Sequence, residues 1–428
     1  MHTSNESCKK RIAMFSIHGD PLAALGSQQN GGQNAFVYFL SKFLDQKGYC
    51  VDVYTHWDNS KKKEVVYIDE KSRVIRLKGG PIAPIDKYDL PKVFPELYEN
   101  FQKFLHKDNT PSYDFFHGHY WDGGWMAMRA AQEFKKPFFE NFHSLGQTRL
   151  KTIKQYEMDT KIRNNFDARF KLEQEIIASA NAVISLAETE KRDLMELYGA
   201  PSDKIHVIRG GVDLRRFSTI PKAEAREKLK LPNDEFIILF VGRLEWRKGA
   251  ATAIKAVSLL KEAGKETTLM IVGGKIHGPE KDPADIREYE RLLQRAKDEG
   301  VESRVVFEGR ADQTQLHLYY SAADVFVVPS YYEPFGLVAL EGMACKVPVV
   351  ASRKGGLRIT IKDGETGLLF EPRNPYDLRD KILILYQSAE LRDKLVAAAY
   401  QSVKKDFSWQ SIANEYINLY ENCAPRSR

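Results

Sequence analysis

The feature that most constrains the fold is an alternation of short apolar runs with longer amphipathic segments. Runs such as Arg11–Ile17 and Phe236–Val241 are typical of strands buried on both faces, whereas Asn34–Lys47 repeats its apolar residues at helical spacing. This alternation predicts parallel α/β sheets. A second series of strands follows a charged stretch, so we predict two doubly wound domains that join near Arg215–Lys222.

The same reasoning locates the other elements. The first series has predicted strands at Cys50–Thr55, Asp114–His117, Pro137–Phe142, Ala182–Leu186 and Ile205–Ile208, and the second at Leu269–Val272, Arg304–Phe307, Asp324–Val328 and Val347–Ala351. Predicted helices are Ala250–Glu262, Asp285–Glu299, Gln313–Ala322, Val338–Ala344 and Trp409–Tyr420. The expected domains are 1–215 and 216–405, with a helix in 406–428 that packs across their junction. Because ligands bind beyond the carboxyl ends of such strands, we expect the domains to face each other across a cleft.

Composition narrows the class of protein. The 428 residues carry 64 Lys and Arg against 58 Asp and Glu, and the net charge of +6 is too dispersed to predict a nucleic-acid partner. No apolar run approaches the ~20 residues that span a bilayer, and the amino terminus has no apolar signal core. The four cysteines are widely spaced, which is typical of a reducing compartment. We therefore expect a cytoplasmic protein with an anionic small-molecule ligand.

Three motifs of the first domain carry chemistry. A glycine-rich loop, which includes Gly31–Asn34, follows the first strand and could bring backbone amides to a ligand, but it matches neither nucleotide-binding fingerprint. The sequence His117-Gly118-His119, with Asp122, favours a polar rim over a metal site because further ligands are not evident. His143 follows a strand and could donate a hydrogen bond to a sugar hydroxyl or stabilise developing charge.

The second domain carries the stronger motifs. Arg243 and Lys248 lie in the turn Gly242–Gly249 between a strand and a helix, where two cations suit a departing pyrophosphate. Glu333 and Glu341 have seven residues between them, and Gly336 is predicted to open the intervening helix. The amides near Gly336 could cradle a phosphate while the carboxylates accept hydrogen bonds from sugar and ribose. These features together predict a nucleotide-sugar as the ligand.

These residues bring a family resemblance that covers nearly the whole chain. The E-x7-E motif, the G-R-L-x-W-R-K-G turn, the G-G-V-D sequence at Gly210–Asp213 and the sequence F-H-S-L-G resemble retaining glycosyltransferases of the GT-B fold. The sequences Ser16–Pro21, Gly31–Asn34, His117–Asp122 and Gly80–Tyr88 resemble the sucrose-phosphate synthase branch. The resemblance implies two Rossmann-like domains and glucosyl transfer from UDP-glucose or ADP-glucose to fructose 6-phosphate.

The resemblance also implies roles for individual residues. The donor would bind the second domain, and the expected donor-binding residues are Arg243, Lys248, Arg310, Glu333, Phe335, Gly336, Leu337, Val338 and Glu341. The residues expected to act in catalysis are His143, Glu333, Arg243 and Lys248. The acceptor would bind the first domain, and its phosphate would contact Lys87 and Arg169; the expected acceptor-binding residues are Gly32, Gln33, Lys87, Asp122 and Arg169. Neither a metal nor a cofactor is expected, because cations and helix amino termini would stabilise the leaving diphosphate.

Departures from the family leave the substrates open. Gln147 replaces an arginine, Leu186-Ala187 replaces a Ser/Thr pair, and Gly342 replaces an alanine. We expect no phosphatase domain. The alternatives are a GDP-mannose donor, an inositol phosphate, free sugar or lipid-linked acceptor, and a nucleotide-sugar-binding protein without activity. An epimerase or phosphorylase on the same fold is a further alternative. The oligomeric state is open, with a monomer compatible with the sequence.

Overall fold

The computed structural model describes residues 8–23, 32–86, 88–155, 166–278, 281–312, 314–331, 333 and 336–423, with only the backbone for 152–155. The described residues divide into two compact units. The first contains 8–23, 32–209 and 412–423, and the second contains 210–411.

An eight-stranded sheet forms the centre of the first unit, in the order β3-β4-β2-β1-β5-β6-β7-β8. Its strands are β1 (Arg11–Phe15), β2 (Cys50–His56), β3 (Val65–Tyr67), β4 (Arg73–Leu77), β5 (Phe115–His119), β6 (Phe138–Asn141), β7 (Ala182–Ser185) and β8 (Ile205–Val207). All pairs are parallel except β3 with β4. The helices are α1 (Gly32–Asp45), α2 (Phe94–Asp108), α3 (Tyr120–Phe134), α4 (Gly146–Gln155), α5 (Phe166–Ser179) and α6 (Glu188–Tyr198).

The second unit has a six-stranded parallel sheet in the order β11-β10-β9-β12-β13-β14. Its strands are β9 (Phe236–Val241), β10 (Thr267–Val272), β11 (Val305–Gly309), β12 (Val325–Val328), β13 (Val349–Ser352) and β14 (Leu368–Phe370). Its helices are α7 (Lys222–Leu229), α8 (Ala250–Glu262), α9 (Pro283–Asp298), α10 (Leu316–Ala322), α11 (Leu337–Ala344), α12 (Leu357–Thr360), α13 (Pro375–Gln387) and α14 (Ala389–Asp406).

The last described helix, α15 (Trp409–Cys423), packs its residues from 412 onward against the first sheet. The Tyr416 hydroxyl donates to Asn141 Oδ1 at 2.8 Å, and the Tyr420 hydroxyl lies 2.7 Å from His117 Nδ1. All four side chains are buried. The helix thus gives the buried His117 Nδ1 a partner and adds a second one to Asn141 Oδ1, which also lies 3.0 Å from His117 Nε2.

The prediction of two Rossmann-like α/β units is confirmed, but the apolar pattern missed β3, β4 and β14. In β4, two arginines interrupt the apolar run. Arg73 Nε donates to Asp52 at 2.7 Å, and Arg76 Nε donates to Asp20 at 3.0 Å. Internal ion pairs thus allow a charged sequence to form a buried strand.

The cysteine spacing gave no sign of a pairing that the structure contains. Cys8 and Cys50 form a disulfide with their Cα atoms 5.6 Å apart. Parallel pairing of β1 and β2 places Arg11 opposite Cys50, so the residues just before β1 reach the start of β2. Strand pairing therefore brings together two cysteines that are 42 residues apart in the sequence.

Candidate functional site

The two cations of the second unit lie in the loop between β9 and α8. A short turn at Trp246–Lys248 ends at Gly249, whose φ of 76° is in the left-handed region. A Cβ atom at this position would lie 2.0 Å from the Pro329 carbonyl oxygen. The loop is held there because the Tyr331 amide donates to the Arg247 carbonyl at 2.8 Å. Glycine is therefore required for the loop to approach the end of β12.

We expect Gly249→Ala to destabilise the protein more than Gly264→Ala. Both glycines have positive φ, 76° and 70°, but a Cβ at Gly264 would meet nothing within 4 Å. Gly264→Ala should lower the free energy of unfolding only by the backbone strain of an alanine at positive φ, about 1–2 kcal/mol. Gly249→Ala must also displace the loop, so it should cost more stability and lower activity. Urea unfolding and a transfer assay measure both effects. Equal losses in the two variants would show that the close approach is unimportant.

Lys248 and Glu333 form an ion pair at the carboxyl end of the second sheet. Lys248 Nζ lies 2.6 Å from Glu333 Oε2, and the side chains are only 15% and 12% exposed. Burial alone would raise the pKa of Glu333, but the charge and hydrogen bond of Lys248, together with Arg247 and Ser330, lower it. Burial lowers the pKa of Lys248, and Glu333 opposes that shift. The pair therefore holds one positive and one negative group ready for a polar ligand.

A second carboxylate organises the arginines of the same loop. Arg243 Nη1 and Arg247 Nε each lie 2.5 Å from an oxygen of Glu245. Burial would raise the pKa of Glu245, but the charges of Arg247, then Arg243 and Lys248, lower it. Glu245 is thus an anion that orients two guanidinium groups. We define Arg243 and Lys248 together as the cation pair.

The second carboxylate of the E-x7-E motif lies one turn inside α11. Gly336 caps this helix with a φ of 84°, as the sequence predicts. The Tyr320 hydroxyl of α10 donates to Glu341 Oε2 at 2.8 Å. The backbone of Glu333 is held by the segment before α12, because the Gly356 amide donates to the Glu333 carbonyl at 3.0 Å. The structure therefore brings Lys248, Glu333 and the start of α11 to one edge of the sheet.

The affinity for a nucleotide is expected to depend on pH through Glu341. Burial raises the pKa of Glu341 to about 7, although Tyr320 and the Arg216 charge act in the opposite direction. Above that pH Glu341 is a carboxylate that would accept hydrogen bonds from the ribose hydroxyls of the predicted donor, and below it the group is protonated. The wild-type Kd for UDP should therefore be about ten-fold higher at ~pH 6 than at ~pH 8.

Calorimetry with Glu341→Gln provides the control for this pH dependence. The variant cannot ionise, so its curve should report only the titration of the UDP phosphate. The difference between the two curves should follow the ionisation of Glu341. Parallel curves would contradict the assignment of this carboxylate to the ribose.

The remaining predicted donor residues differ in location and exposure. Arg310 follows β11 and is exposed, and its charge acts on Asp312. Leu337 and Val338 are half-buried in the first turn of α11. Phe335 lies outside the described residues.

Histidines converge at the carboxyl edge of the first sheet. His119 Nδ1 and His143 Nε2 are 2.9 Å apart, and the His117 ring is tilted by 35° to the His119 ring, with the ring centroids 4.2 Å apart. Burial, then His117 and His18, lowers the pKa of His143 to about 3. His143 is neutral at physiological pH and has a φ of 58°. A neutral imidazole here can donate a hydrogen bond but does not supply a positive charge.

The predicted acceptor residues of the glycine-rich loop also reach this edge. Gln33 Nε2 donates to Ser16 Oγ at 3.1 Å and is 3.5 Å from the His119 carbonyl oxygen. Gly32 is the exposed first residue of α1. Asp122 is buried in α3, where its Oδ2 is 2.6 Å from His18 Nδ1.

Arg169, which the family resemblance assigns to an acceptor phosphate, is fully buried among protein groups. Its Nε donates to Glu173 at 2.8 Å, and its Nη1 donates to the Tyr120 hydroxyl at 2.7 Å. Its Nη2 donates to the Ser144 carbonyl at 2.5 Å, which supports the segment after His143. Its role at a phosphate stays a prediction, and Lys87 lies outside the described residues.

Sequence reasoning missed several groups that hold the site together. Glu245 lies inside the G-R-L-x-W-R-K-G motif, where a carboxylate between two arginines was an available signal. His18 precedes the glycine-rich loop, and its pairing with Asp122 joins residues 104 positions apart. Tyr320 carries no local signal, because its contact with Glu341 arises only when α10 and α11 are folded.

Two general properties of the described residues bear on the chemistry. They contain no group of three or more His, Cys, Asp or Glu side chains arranged to hold a metal ion. In the same part of the chain, every helix is too short or too polar to cross a membrane.

A cation pair after β9 and a carboxylate on each side of a helix start have the chemistry that a nucleotide-sugar needs, which is the ligand that the sequence predicts for a glycosyltransferase. Family models agree: residues 221–402 match "Glycosyl transferases group 1" and residues 30–216 match "Glycosyltransferase Family 4". The chain belongs to the GT-B glycosyltransferases and is a hexosyltransferase.

Similar proteins match almost end to end. The sucrose-phosphate synthase from Thermosynechococcus elongatus is 34% identical with a TM-score of 0.86, and the match covers 97% of this chain and 99% of that one. D-inositol 3-phosphate glycosyltransferases from Xylanimonas cellulosilytica and Corynebacterium jeikeium are 31% and 33% identical, each over 97% of both chains.

Proposed function

We propose that this protein is a retaining glucosyltransferase that moves glucose from UDP-glucose or ADP-glucose to a phosphorylated sugar, with fructose 6-phosphate as the first candidate. The observation that carries the donor assignment is the Lys248–Glu333 pair beside Gly336 at the start of α11. A diphosphate can bind the ammonium and the helix amides, while a carboxylate accepts hydrogen bonds from the sugar. The similarity to sucrose-phosphate synthase supports the acceptor.

The proposed transfer takes place on one face of the sugar. The bond from the anomeric carbon to the donor phosphate oxygen breaks, and the acceptor oxygen bonds to the same carbon from the same side. The acceptor proton passes to the departing diphosphate, whose negative charge Arg243 and Lys248 stabilise. The neutral imidazole of His143 is proposed to donate a hydrogen bond to the transferred sugar.

A second acceptor is favoured by a specific observation. The curated relatives at 31% and 33% identity are named D-inositol 3-phosphate glycosyltransferases. Inositol phosphate and fructose 6-phosphate are both small polyols with one phosphate, so both fit a site that recognises a phosphate and hydroxyl groups. GDP-mannose is the alternative donor. We propose further that the protein acts in the cytoplasm and needs no metal or cofactor.

A donor and acceptor matrix tests the proposal. UDP-glucose, ADP-glucose and GDP-mannose would each be combined with fructose 6-phosphate, fructose, inositol 3-phosphate and inositol, and nucleoside diphosphate release would be measured. We expect each phosphorylated acceptor to be preferred over its matched unphosphorylated control. Equal rates for fructose and fructose 6-phosphate would exclude a phosphate site, and a product of inverted configuration would exclude the mechanism.

A further inference from the structure

The histidines at the carboxyl edge of the first sheet include a hydrogen-bonded pair. In the described part of the chain, the His143 side chain makes its hydrogen bond through Nε2, which lies 2.9 Å from His119 Nδ1. One of these two nitrogens must carry a proton and the other must be bare, because a hydrogen bond needs one donor and one acceptor. The direction of this bond therefore determines which nitrogen of His143 is left to donate to a ligand.

Each ring of the cluster is neutral at physiological pH. Burial, with a smaller effect of the neighbouring histidines, lowers the pKa of His119 far below its usual value and that of His143 to about 3. Burial also lowers the pKa of His117 to about 3, although its hydrogen bond to Asn141 acts in the opposite direction. A neutral imidazole has one protonated and one bare nitrogen, so the hydrogen bonds of each ring decide where its proton is.

The contacts of His117 fix the position of its proton. His117 Nε2 lies 3.0 Å from Asn141 Oδ1, which is an acceptor because Asn141 Nδ2 donates to the Ile184 carbonyl. His117 Nε2 therefore carries the proton, and the Tyr420 hydroxyl donates to the bare Nδ1 at 2.7 Å. Both nitrogens of His117 are thus engaged away from His119. The His117 ring supports His119 by packing alone, with the ring centroids 4.2 Å apart.

The other nitrogen of His119 indicates the direction of the bond to His143. His119 Nε2 is buried and has no hydrogen-bond partner among the described residues. If His143 were the donor of the pair, the proton of His119 would be on Nε2, where a buried N–H would have no acceptor. If His119 donates through Nδ1, its Nε2 is bare. The second arrangement avoids an orphaned buried donor, which folded proteins rarely contain.

We propose that His119 is a positioning residue for the transfer: its Nδ1–H donates to His143 Nε2 and keeps the proton of His143 on Nδ1, the nitrogen that would donate to the transferred sugar. The role of His119 in the reaction rests on the proposed function, in which His143 makes that contact. Phe36 also holds the His143 ring, since the two rings pack at 75° with their centroids 5.1 Å apart. A donor that is oriented beforehand loses little freedom when the sugar binds.

The direction of the hydrogen bond can be measured on the full chain without any substrate. In protein with isotopically labelled histidine, two-bond proton–nitrogen NMR spectra distinguish protonated from bare ring nitrogens. The spectra of His143→Ala and His119→Asn assign the signals of the two rings by their loss. We expect both His119 and His143 to be protonated on Nδ1 in the wild type. A proton on His143 Nε2 would overturn the proposal, whether or not the protein transfers sugar.

Two variants of matched size test the positioning role in the reaction. His119→Asn keeps an N–H donor near the place of Nδ1, whereas His119→Leu has a similar shape and no donor. We expect His119→Leu to lower kcat about ten-fold with the donor KM changed less than about two-fold, and His119→Asn to retain most of the kcat. Equal kcat values in the two variants would contradict the positioning role. If His119→Leu folds poorly, the wild-type spectra still decide the direction of the bond.

A double-mutant cycle with His143→Ala separates positioning from general support of the fold. When the His143 imidazole is already absent, His119→Leu should cost little further activity, because it acts through that ring. Losses that multiply in the double variant would show that His119 acts independently of His143. The expected protons in a protein that transfers no sugar would confirm the hydrogen bond and overturn its role in the reaction, together with the proposed function.

Discussion

Replacing Arg243 with glutamine is expected to lower kcat/KM by about 10²–10³-fold while the protein stays folded. The side chain follows β9 in a loop that Gly249 and Tyr331 hold against the end of β12. Its Nη1 forms an ion pair with Glu245, so the guanidinium is oriented before a ligand binds. If Arg243 bound the donor equally well in the ground state and in the transition state, its loss would raise KM alone. If it stabilises charge that develops on the leaving diphosphate, its loss should lower kcat.

The matched control is Arg291→Gln, which removes the same charge from the same unit. Arg291 is half-exposed on α9 and pairs with Glu288 at 2.7 Å, so neither residue belongs to the β9–α8 loop. Its activity should be within about two-fold of wild type. Steady-state kinetics and thermal unfolding of the wild type, Arg243→Gln and Arg291→Gln show whether activity is lost while the fold is kept. An Arg243→Gln enzyme with nearly normal kcat would remove this residue from the diphosphate.

The second large effect is expected at the Lys248–Glu333 ion pair. Lys248→Met removes one partner of a mostly buried pair and leaves the other charge uncompensated. The free energy of unfolding should fall by about 3 kcal/mol, and turnover should fall at least about 100-fold. Chemical denaturation and steady-state kinetics measure the two losses.

The double variant Lys248→Met/Glu333→Gln separates structure from chemistry. Neutralising Glu333 removes the buried unpaired charge, so most of the lost stability should return. Activity should not return, because both the cation and the carboxylate proposed to contact the donor are absent. Recovery of activity together with stability would mean that the pair only supports the loop.

The clustering of the residues proposed to bind the donor could be predicted, because its signals are local in sequence. Arg243 and Lys248 lie within one turn between a strand and a helix, and Glu333 and Glu341 lie on either side of one helix start. The position of Gly336 as the cap of α11 follows from its freedom to adopt positive φ. Continuous apolar runs likewise predicted β1 and β9, since a parallel strand buried on both faces is largely apolar along its length.

Apart from Glu245, whose position between two arginines was a local signal, the groups that support the site could not be predicted, because tertiary contacts create them. The Tyr320 hydroxyl meets Glu341 only after two helices pack, and Arg169 is neutralised by Glu173 inside the first unit. The sequence pattern of β4 failed for the same reason, since Arg76 is buried only because Asp20 accepts its hydrogen bond.

The most direct test of the donor assignment is a crystal structure of the protein with UDP. The assignment predicts that the diphosphate lies within hydrogen-bonding distance of Arg243 and Lys248, beside the first amides of α11. The ribose hydroxyls should donate to Glu341. A nucleotide bound at any other place, with Arg243 and Lys248 still paired with Glu245 and Glu333, would contradict the account.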